Sequence, residues 1–328
     1  MPGRNQACLT VLLSLRKKYI LIVRFFFHYP EPRYPEPGGA DAAALSAGPL
    51  REVATAVERA GFDGLSLSEH PVPGARWSAS GGHQTLDPFV ALSFVAAVTS
   101  RLRLLTYLAV APYRNPFLLA KAAATLDLVS GGRVTLGLGT GYQKSEFHAL
   151  GVDFDERNHL FDEILDTLPM HWQGSAFSYE GKHFSARDVI ARPRPTQGRI
   201  PIWIGGNSAL SRRRVAERAQ GWMPMSGSSQ LSTTARTPTL GSVDQLALRI
   251  TELRATAAAA GRDEPIDVVY SYGQGIDVAL DEPDRHRESF AGLAEAGVTW
   301  IVISGRTDSP AATVDFVESF GATYLAGR

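Results

Sequence analysis

Cysteine is almost missing: Cys8 is the only one in 328 residues. A lone thiol excludes an internal disulfide framework and any cysteine-built zinc or iron–sulfur cluster, and it points to a reducing, cytoplasmic setting. Eight histidines are present, none in a His-x-His pair. Metal-assisted hydrolysis therefore lacks its usual ligand spacing, and no metal is assigned. There is no charge excess either, with 33 basic and 33 acidic side chains. This removes the profile of a nucleic-acid binder and that of a chain kept disordered by its own charge. Long apolar runs are also wanting: Arg24 splits residues 19–27, and Arg101 and Arg103 split the next candidate, so no stretch approaches the ~18 residues of a membrane span. Residues 7–15 are apolar but run into Arg16, Lys17 and Lys18 without a clear cleavage site, which argues against a signal peptide. Residues 1–18 read as an N-terminal extension outside the fold and a candidate for disorder.

What the chain does contain is alternation. Short apolar or β-branched runs at Tyr19–Phe27, Asp63–Leu67, Arg103–Val110, Val134–Leu138, Ile202–Ile204, Gly221–Met225, Asp267–Tyr272 and Thr299–Ile303 alternate with amphipathic stretches at 48–60, 88–99, 116–130, 156–171, 208–220, 243–260, 284–296 and 310–325. Gly61 and Gly297 follow helices, and Asp87-Pro88 and Asn115-Pro116 pair an N-cap with a first-turn proline. Eight such units predict an α/β fold of the (β/α)8 TIM-barrel type, one domain over residues 19–328, ahead of an open doubly wound sheet. Residues 173–200, after the fourth βα unit, are too long for an ordinary connection, and Tyr179-Glu180-Gly181-Lys182 reads as a hairpin within an insertion. The Ser/Thr/Gly-rich stretch 226–242 reads as a mobile loop over the barrel mouth.

In such barrels chemistry sits at the C-terminal strand ends. Those ends are His28-Tyr29, Glu69-His70, Thr106-Tyr107-Leu108, Gly139-Thr140-Gly141-Tyr142, Gly205-Gly206-Asn207-Ser208, Trp222–Ser226, Tyr272–Gln274 and Ser304–Thr307. Gly205-Gly206 before a helix capped by Asn207 or Ser208 is either an anion site at the positive helix end or merely a tight turn. Gly137-Leu138-Gly139-Thr140-Gly141 fails as a dinucleotide fingerprint, because the third glycine would fall on Tyr142, and as a P-loop, because Gln143 stands where glycine is required. It leaves a bare strand end that a flat ligand can touch, with Thr140 as a hydroxyl donor. Glu69 and His70 are the pair best suited to proton chemistry near neutral pH, unless they are a surface loop pair.

Four blocks, AGFDGLSLSEH (60–70), APYRNPFLLAKAAATLDLVSGGRVTLGLGTGY (111–142), EFHALGVDFDERNHLFDEIL (146–165) and RPRPTQGRIPIWIGGNSALSRRRVAERAQGWMP (192–224), together resemble the luciferase-like monooxygenase superfamily, most closely its coenzyme F420-dependent oxidoreductase branch. The resemblance implies a flavin-like ring at the barrel mouth with its phosphate at the fifth βα loop. It assigns cofactor contacts to Tyr107, Leu108, Gly139, Thr140, Gly141, Gly205, Gly206, Asn207 and Ser208, with Tyr107-Leu108 at the place of a non-proline cis peptide. It also places Glu69 and His70 near the ring, His70 to protonate or hydrogen-bond and Glu69 to orient it. His28, Tyr142 and Trp222 are the candidates for touching a small organic substrate. Gly74 and Tyr142 stand where some members have Trp and Glu, so a sugar-phosphate activity that needs those groups is not implied. The expected reaction is hydride transfer to or from F420. The alternatives are an FMN-dependent monooxygenase and a cofactor-binding barrel without catalysis. A homodimer is the oligomer such a family suggests.

Overall fold

The computed structural model describes residues 23–32, 42–227, 229–273, 281–305 and 309–328. The 1–18 extension, the first residues of the strand predicted at 19–27, and Gln274 and Thr307 lie outside them.

Eight parallel strands close into a barrel. These are β1 (Arg24–His28), β2 (Gly64–Leu67), β3 (Arg103–Thr106) with its continuation β4 (Ala109–Val110), β5 (Val134–Gly139), β8 (Ile202–Gly205), β9 (Gly221–Met223), β10 (Asp267–Tyr272) and β11 (Trp300–Ser304). Each pairs with its neighbour, β3 and β4 both reach β5, and β11 returns to β1. The predicted third strand is interrupted at Tyr107-Leu108, which is a cis peptide. β6 (Ala176–Glu180) and β7 (Ser185–Ile190) form the antiparallel hairpin expected in the insertion. Glu163 fastens that hairpin by accepting the N–H groups of Lys182, His183 and Phe184.

The bulk of β1 follows from strand alternation. Phe25 and Phe27 face the surrounding helices, where Phe25 meets Phe290 at 5.3 Å and Phe320 at 5.8 Å. Phe26 points inward and packs on Trp203 and Trp300 at 6.0 and 4.5 Å. Room for these rings comes from facing glycines: a Cβ on Gly64 would fall 2.2 Å from Phe26, and one on Gly221 would fall 2.3 Å from Trp203. Large-against-small layering fills the barrel bottom solidly and confines any cavity to the mouth. Burying Phe26 is worth about 1.5–3 kcal/mol.

The helix punctuation behaves as its chemistry requires. Asp87 accepts from the N–H groups of Phe89 and Val90, and Asn115 accepts from Phe117. Gly61 and Gly297 take φ of +90° and +99° just past their helices. The stretch 226–242, predicted as a loop, contains a short helix, Ser229–Thr234, and is tied to the barrel by side chains described below. No helix among the described residues is long and apolar enough to cross a membrane.

Candidate active site

A cavity of about 350 Å³ opens at the C-terminal strand ends, within the size range of small-ligand sites. Its wall includes His28, Glu69, His70, Tyr107, Leu108, Gly139, Gly141, Tyr142 and Gly206, so nine of the sequence-predicted residues converge there. Thr140, Gly205, Asn207, Ser208 and Trp222 are not among the lining residues.

The glycines have a structural reason the sequence did not disclose. Leu108 lies across both strand ends, so a Cβ on Gly139 or Gly205 would stand 2.9 or 2.5 Å from its Cδ1. Their missing side chains admit Leu108, and Leu108 in turn presents the apolar surface to the cavity. Tyr107 is half-buried, and desolvation pushes its pKa up to about 12, with Ser271 opposing.

His70 is held from four directions. Its backbone N–H donates to Thr85 Oγ1, and Trp77 packs on the ring at 4.5 Å. Nδ1 lies 3.0 Å from Gln143 Nε2 and 3.3 Å from Glu146 Oε2, while Nε2 lies 3.4 Å from the Tyr142 hydroxyl. Gln143 is oriented because its Oε1 accepts from the Gly74 N–H. Its amide can therefore donate to an unprotonated Nδ1, whereas the Glu146 carboxylate accepts from a protonated one. Both tautomers of the ring, and the imidazolium, thus have a partner in place.

The expected role of Glu69 needs correcting. Its side chain accepts from the Val110 N–H at 2.7 Å and forms an ion pair with Arg114, which also reaches Asp87 at 3.0 Å. These bonds fasten β4, and no hydrogen bond joins Glu69 to His70 among the described residues. Adjacent residues diverge, and the carboxylate that meets His70 comes instead from the helix Lys144–Ala149. Glu146 is fully buried and also accepts from Tyr113 Oη at 2.8 Å. Burial first, and then this carboxylate, push the Tyr113 pKa well above its ordinary value. The same two causes push Tyr142 up to about 12.

A second acid, also missed from the sequence, adjoins this group through His83, whose ring lies 5.3 Å from that of His70. Glu31 accepts from the Ser68 N–H at 2.9 Å and sits between His28 Nε2 at 3.3 Å and His83 Nδ1 at 2.9 Å. The His83 contact is an ion-pair approach without hydrogen-bond alignment. Burial opposes ionisation of Glu31, but the two histidines outweigh it and hold the carboxyl far below the usual range. His28 is further set by Ser66 Oγ at 3.0 Å from Nδ1.

At the fifth strand end Gly206 has φ +102°, a conformation that requires glycine. Its N–H is taken by Met223 O, and Trp222 Nε1 donates to its carbonyl. Trp222 is fully buried behind the turn and does not face the cavity. Asn207 is likewise occupied: its N–H donates to Thr237 Oγ1, its amide donates to Met225 O and Pro238 O, and it accepts from the Met225 N–H. The helix N-cap is Ser208, which accepts from Ser211 N–H. The N–H groups of Ser208, Ala209 and Leu210 have no partner among the described residues, so the donors that could meet a phosphate lie two to four residues beyond the paired glycines. A flat ring with a phosphate arm suits this mouth, which has an apolar bed on Leu108, glycine backbone at two strand ends, and open N–H groups at a helix start. No cluster of metal-ligating side chains occurs among the described residues.

A closed parallel barrel with a cavity lined by His70 at the C-terminal strand ends is the architecture in which α/β-barrel enzymes carry their sites. Residues 26–282 match the luciferase-like monooxygenase family, and the chain belongs to it. Among its relatives, the F420-dependent glucose-6-phosphate dehydrogenase of Microbacterium testaceum is 31% identical over 195 residues, 58% of this chain and 56% of that protein. The FMNH2-dependent dimethylsulfone monooxygenase of Pseudomonas putida is 28% identical over 249 residues, 75% of this chain and 61% of that protein. In fold, the chain is similar to an F420-dependent secondary alcohol dehydrogenase solved with an F420–acetone adduct, with a TM-score of 0.68, 16% identity, and coverage of 93% of this chain and 99% of that one. The family thus includes both F420- and FMN-dependent relatives of this chain.

Proposed function

We propose that the protein is an oxidoreductase that transfers a hydride between coenzyme F420 and a small substrate carrying a hydroxyl or carbonyl group. The observation that carries this reading is His70, set between Gln143 and Glu146 at the cavity wall. Oxidising an alcohol to a carbonyl removes a hydride from carbon and a proton from oxygen, so the site needs a proton acceptor beside the hydride acceptor. When bound, the deazaflavin supplies the hydride-accepting or hydride-donating ring carbon.

This chain's residues supply the rest. With Nδ1–H turned to Glu146, the unprotonated His70 Nε2, beside the Tyr142 hydroxyl, takes the substrate's hydroxyl proton, and the buried carboxylate faces the imidazolium that results. In the reverse direction Nε2–H returns the proton to the carbonyl oxygen. Tyr142 Oη, 3.4 Å from Nε2, marks the approach to that nitrogen. Leu108 and Met223, which line the cavity, would exclude water from a bound ring, and the N–H groups of Ser208 to Leu210 would hold its phosphate. The single thiol fits a cytoplasmic setting for this chemistry.

Relatives named for F420 chemistry, one of them solved with acetone joined to F420, support this reading. The relative named for FMNH2 supports the alternative, an FMN-dependent monooxygenase. The test is to incubate the protein with oxidised F420 and a panel of small alcohols while following loss of the coenzyme's absorbance. Turnover is expected, with a fall of about a hundredfold or more in His70→Ala. Absence of turnover with F420, together with oxygen consumption on supplying reduced FMN, would favour the alternative.

A further inference from the structure

The wall of the cavity divides into two arcs. From β3 round to β9 it is apolar, with the side chains of Leu108, Val110, Met223 and Met225 and bare backbone at Gly139 and Gly206. From β10 through β11 and β1 to the segment after β2 it is polar, with Ser271, Ser304, His28, His70 and His83. The two tyrosines of the wall turn toward the polar arc: the Tyr107 ring packs on His28 at 5.6 Å, and the Tyr142 hydroxyl lies 3.4 Å from His70 Nε2. The flat ring of a cofactor belongs on the apolar arc, so a substrate held against it meets the polar one. That arc runs on into a second cavity of about 250 Å³, which shares His28, Glu31, His83 and Ser304 with the first.

The charges of the polar arc are already matched. Among the described residues neither lysine nor arginine lines either cavity. The two carboxylates that do are occupied, Glu31 by the Ser68 N–H, His28 and His83, and Glu69 by the Val110 N–H and Arg114. His28 is taken at both nitrogens, Nδ1 by Ser66 Oγ and Nε2 by Glu31. What remains open is neutral. His83 presents Nδ1 to Glu31 at 2.9 Å, which favours the proton on that nitrogen and leaves a lone pair on Nε2. Neither that Nε2 nor Ser304 Oγ has a partner among the described residues. The His83 ring centroid lies 5.3 Å from that of His70. Two hydroxyls on adjacent carbons lie about 3 Å apart and each hydrogen bond adds about 3 Å, so one hydroxyl can meet His70 while its neighbour donates to His83. A carboxylate substrate would find no cation but the histidines, and a plain alcohol would strip water from His83 and Ser304 without replacing it. We infer that the substrate is a neutral, multiply hydroxylated molecule, a vicinal diol or a longer polyol, recognised at the neighbouring hydroxyl by His83 and at a further one by Ser304. The carbon beside His70 loses its hydrogen as hydride to oxidised F420, the hydroxyl proton goes to His70, and the product is the hydroxy carbonyl compound. That oxidation rests on the F420 reading above, whereas the recognition of hydroxyls can be read without coenzyme.

The experiment measures kcat/KM with oxidised F420 for 2-propanol, 1,2-propanediol, glycerol, sorbitol and lactate, and, separately, binding of the same five compounds to the coenzyme-free protein by saturation-transfer NMR. The diol or one of the polyols is expected to exceed 2-propanol by about tenfold in kcat/KM, with lactate below it, and the NMR signals should rank in the same order. His83→Leu should lower kcat/KM about tenfold more for the diol than for 2-propanol, and His83→Gln, which keeps an acceptor, should recover much of the difference. Ser304→Ala, which leaves the partners of Glu31 in place, should cut the preference for polyols about threefold and carries the test if the His83 variants fail to fold in thermal unfolding. A preference for 2-propanol or lactate, or a polyol preference that His83→Leu and Ser304→Ala both leave intact, overturns the substrate class and leaves the F420 reading standing. Binding of a polyol that depends on these residues, without turnover of any of the five, removes the F420 reading and keeps the polyol site. Neither turnover nor binding removes both.

Discussion

Glu146 Oε2 lies 3.3 Å from His70 Nδ1 although 76 residues separate them in the chain. The contact joins the end of the second strand to the short helix that follows the fourth barrel strand. It gives the histidine at the mouth a buried carboxylate that does no fastening of strands. On this account Glu146→Gln, which keeps the shape and the Tyr113 hydrogen bond, should lower hydride transfer about 10- to 100-fold. The fold should remain intact by circular dichroism. A variant as fast as the parent would remove Glu146 from the mechanism.

Glu69 should behave in the opposite way. Its loss in Glu69→Ala strands Arg114 and the Val110 N–H. A buried ion pair broken on one side is costly, and with Arg114 partly solvated the expected loss is about 2–3 kcal/mol in denaturant unfolding. Any fall in rate should follow the loss of folded protein. A full-strength fold with no activity would restore Glu69 to the catalytic role expected from the sequence.

The pocket made by Leu108 and two glycines gives a coupled pair. Gly205→Ala places a methyl 2.5 Å from Leu108 Cδ1, and overpacking of this kind costs about 1–3 kcal/mol. Shortening the clashing chain should relieve it, so the double variant Gly205→Ala, Leu108→Ala should lose less stability than the sum of the single changes. Simple additivity in a double-mutant cycle would show that Leu108 does not occupy the space the glycines leave.

Glu31 supplies a pH dependence. Its folded-state pKa is depressed below the ordinary 4.5, so the unfolded state binds the proton more readily. The stabilisation is complete above that ordinary value and is lost as pH falls through the folded-state value. Glu31→Gln should therefore be less stable than the parent at pH 7, by about 1–3 kcal/mol, and the gap should narrow as acid is added below pH 4.5. A gap that is constant from pH 7 to pH 3, measured by urea unfolding, would contradict the ion pairs with His28 and His83.

Much of the architecture was legible because it rests on local signals. Short apolar runs, Asp87-Pro88 and Asn115-Pro116 at helix starts, and Gly61 and Gly297 at helix ends each act within a few residues, and the barrel strands lie where those signals put them. The strand-end rule likewise brought His70, Tyr107 and Gly139 to the cavity. What it could not supply were the partners of those residues. Glu31 leaves a loop with no period, His83 follows a five-residue helix, and Glu146 sits in a six-residue one. Their burial is decided by packing across the mouth, which no spacing in the chain encodes. The adjacency of Glu69 to His70 suggested a working pair, yet adjacent side chains diverge and meet different neighbours. Asn207 shows the same limit: it looked like a helix cap, and its amide instead ties 225 and 238 to the turn.

The central claim is the identity of the cofactor at this mouth, and the most direct measurement is an equilibrium titration of the purified, ligand-free protein with oxidised F420 and, separately, with FMN and reduced FMN. F420 should bind saturably at about one per chain, with a dissociation constant of roughly micromolar order, and should displace either form of FMN in competition. Tight, saturable binding of FMN or reduced FMN, with F420 unable to compete, would contradict it.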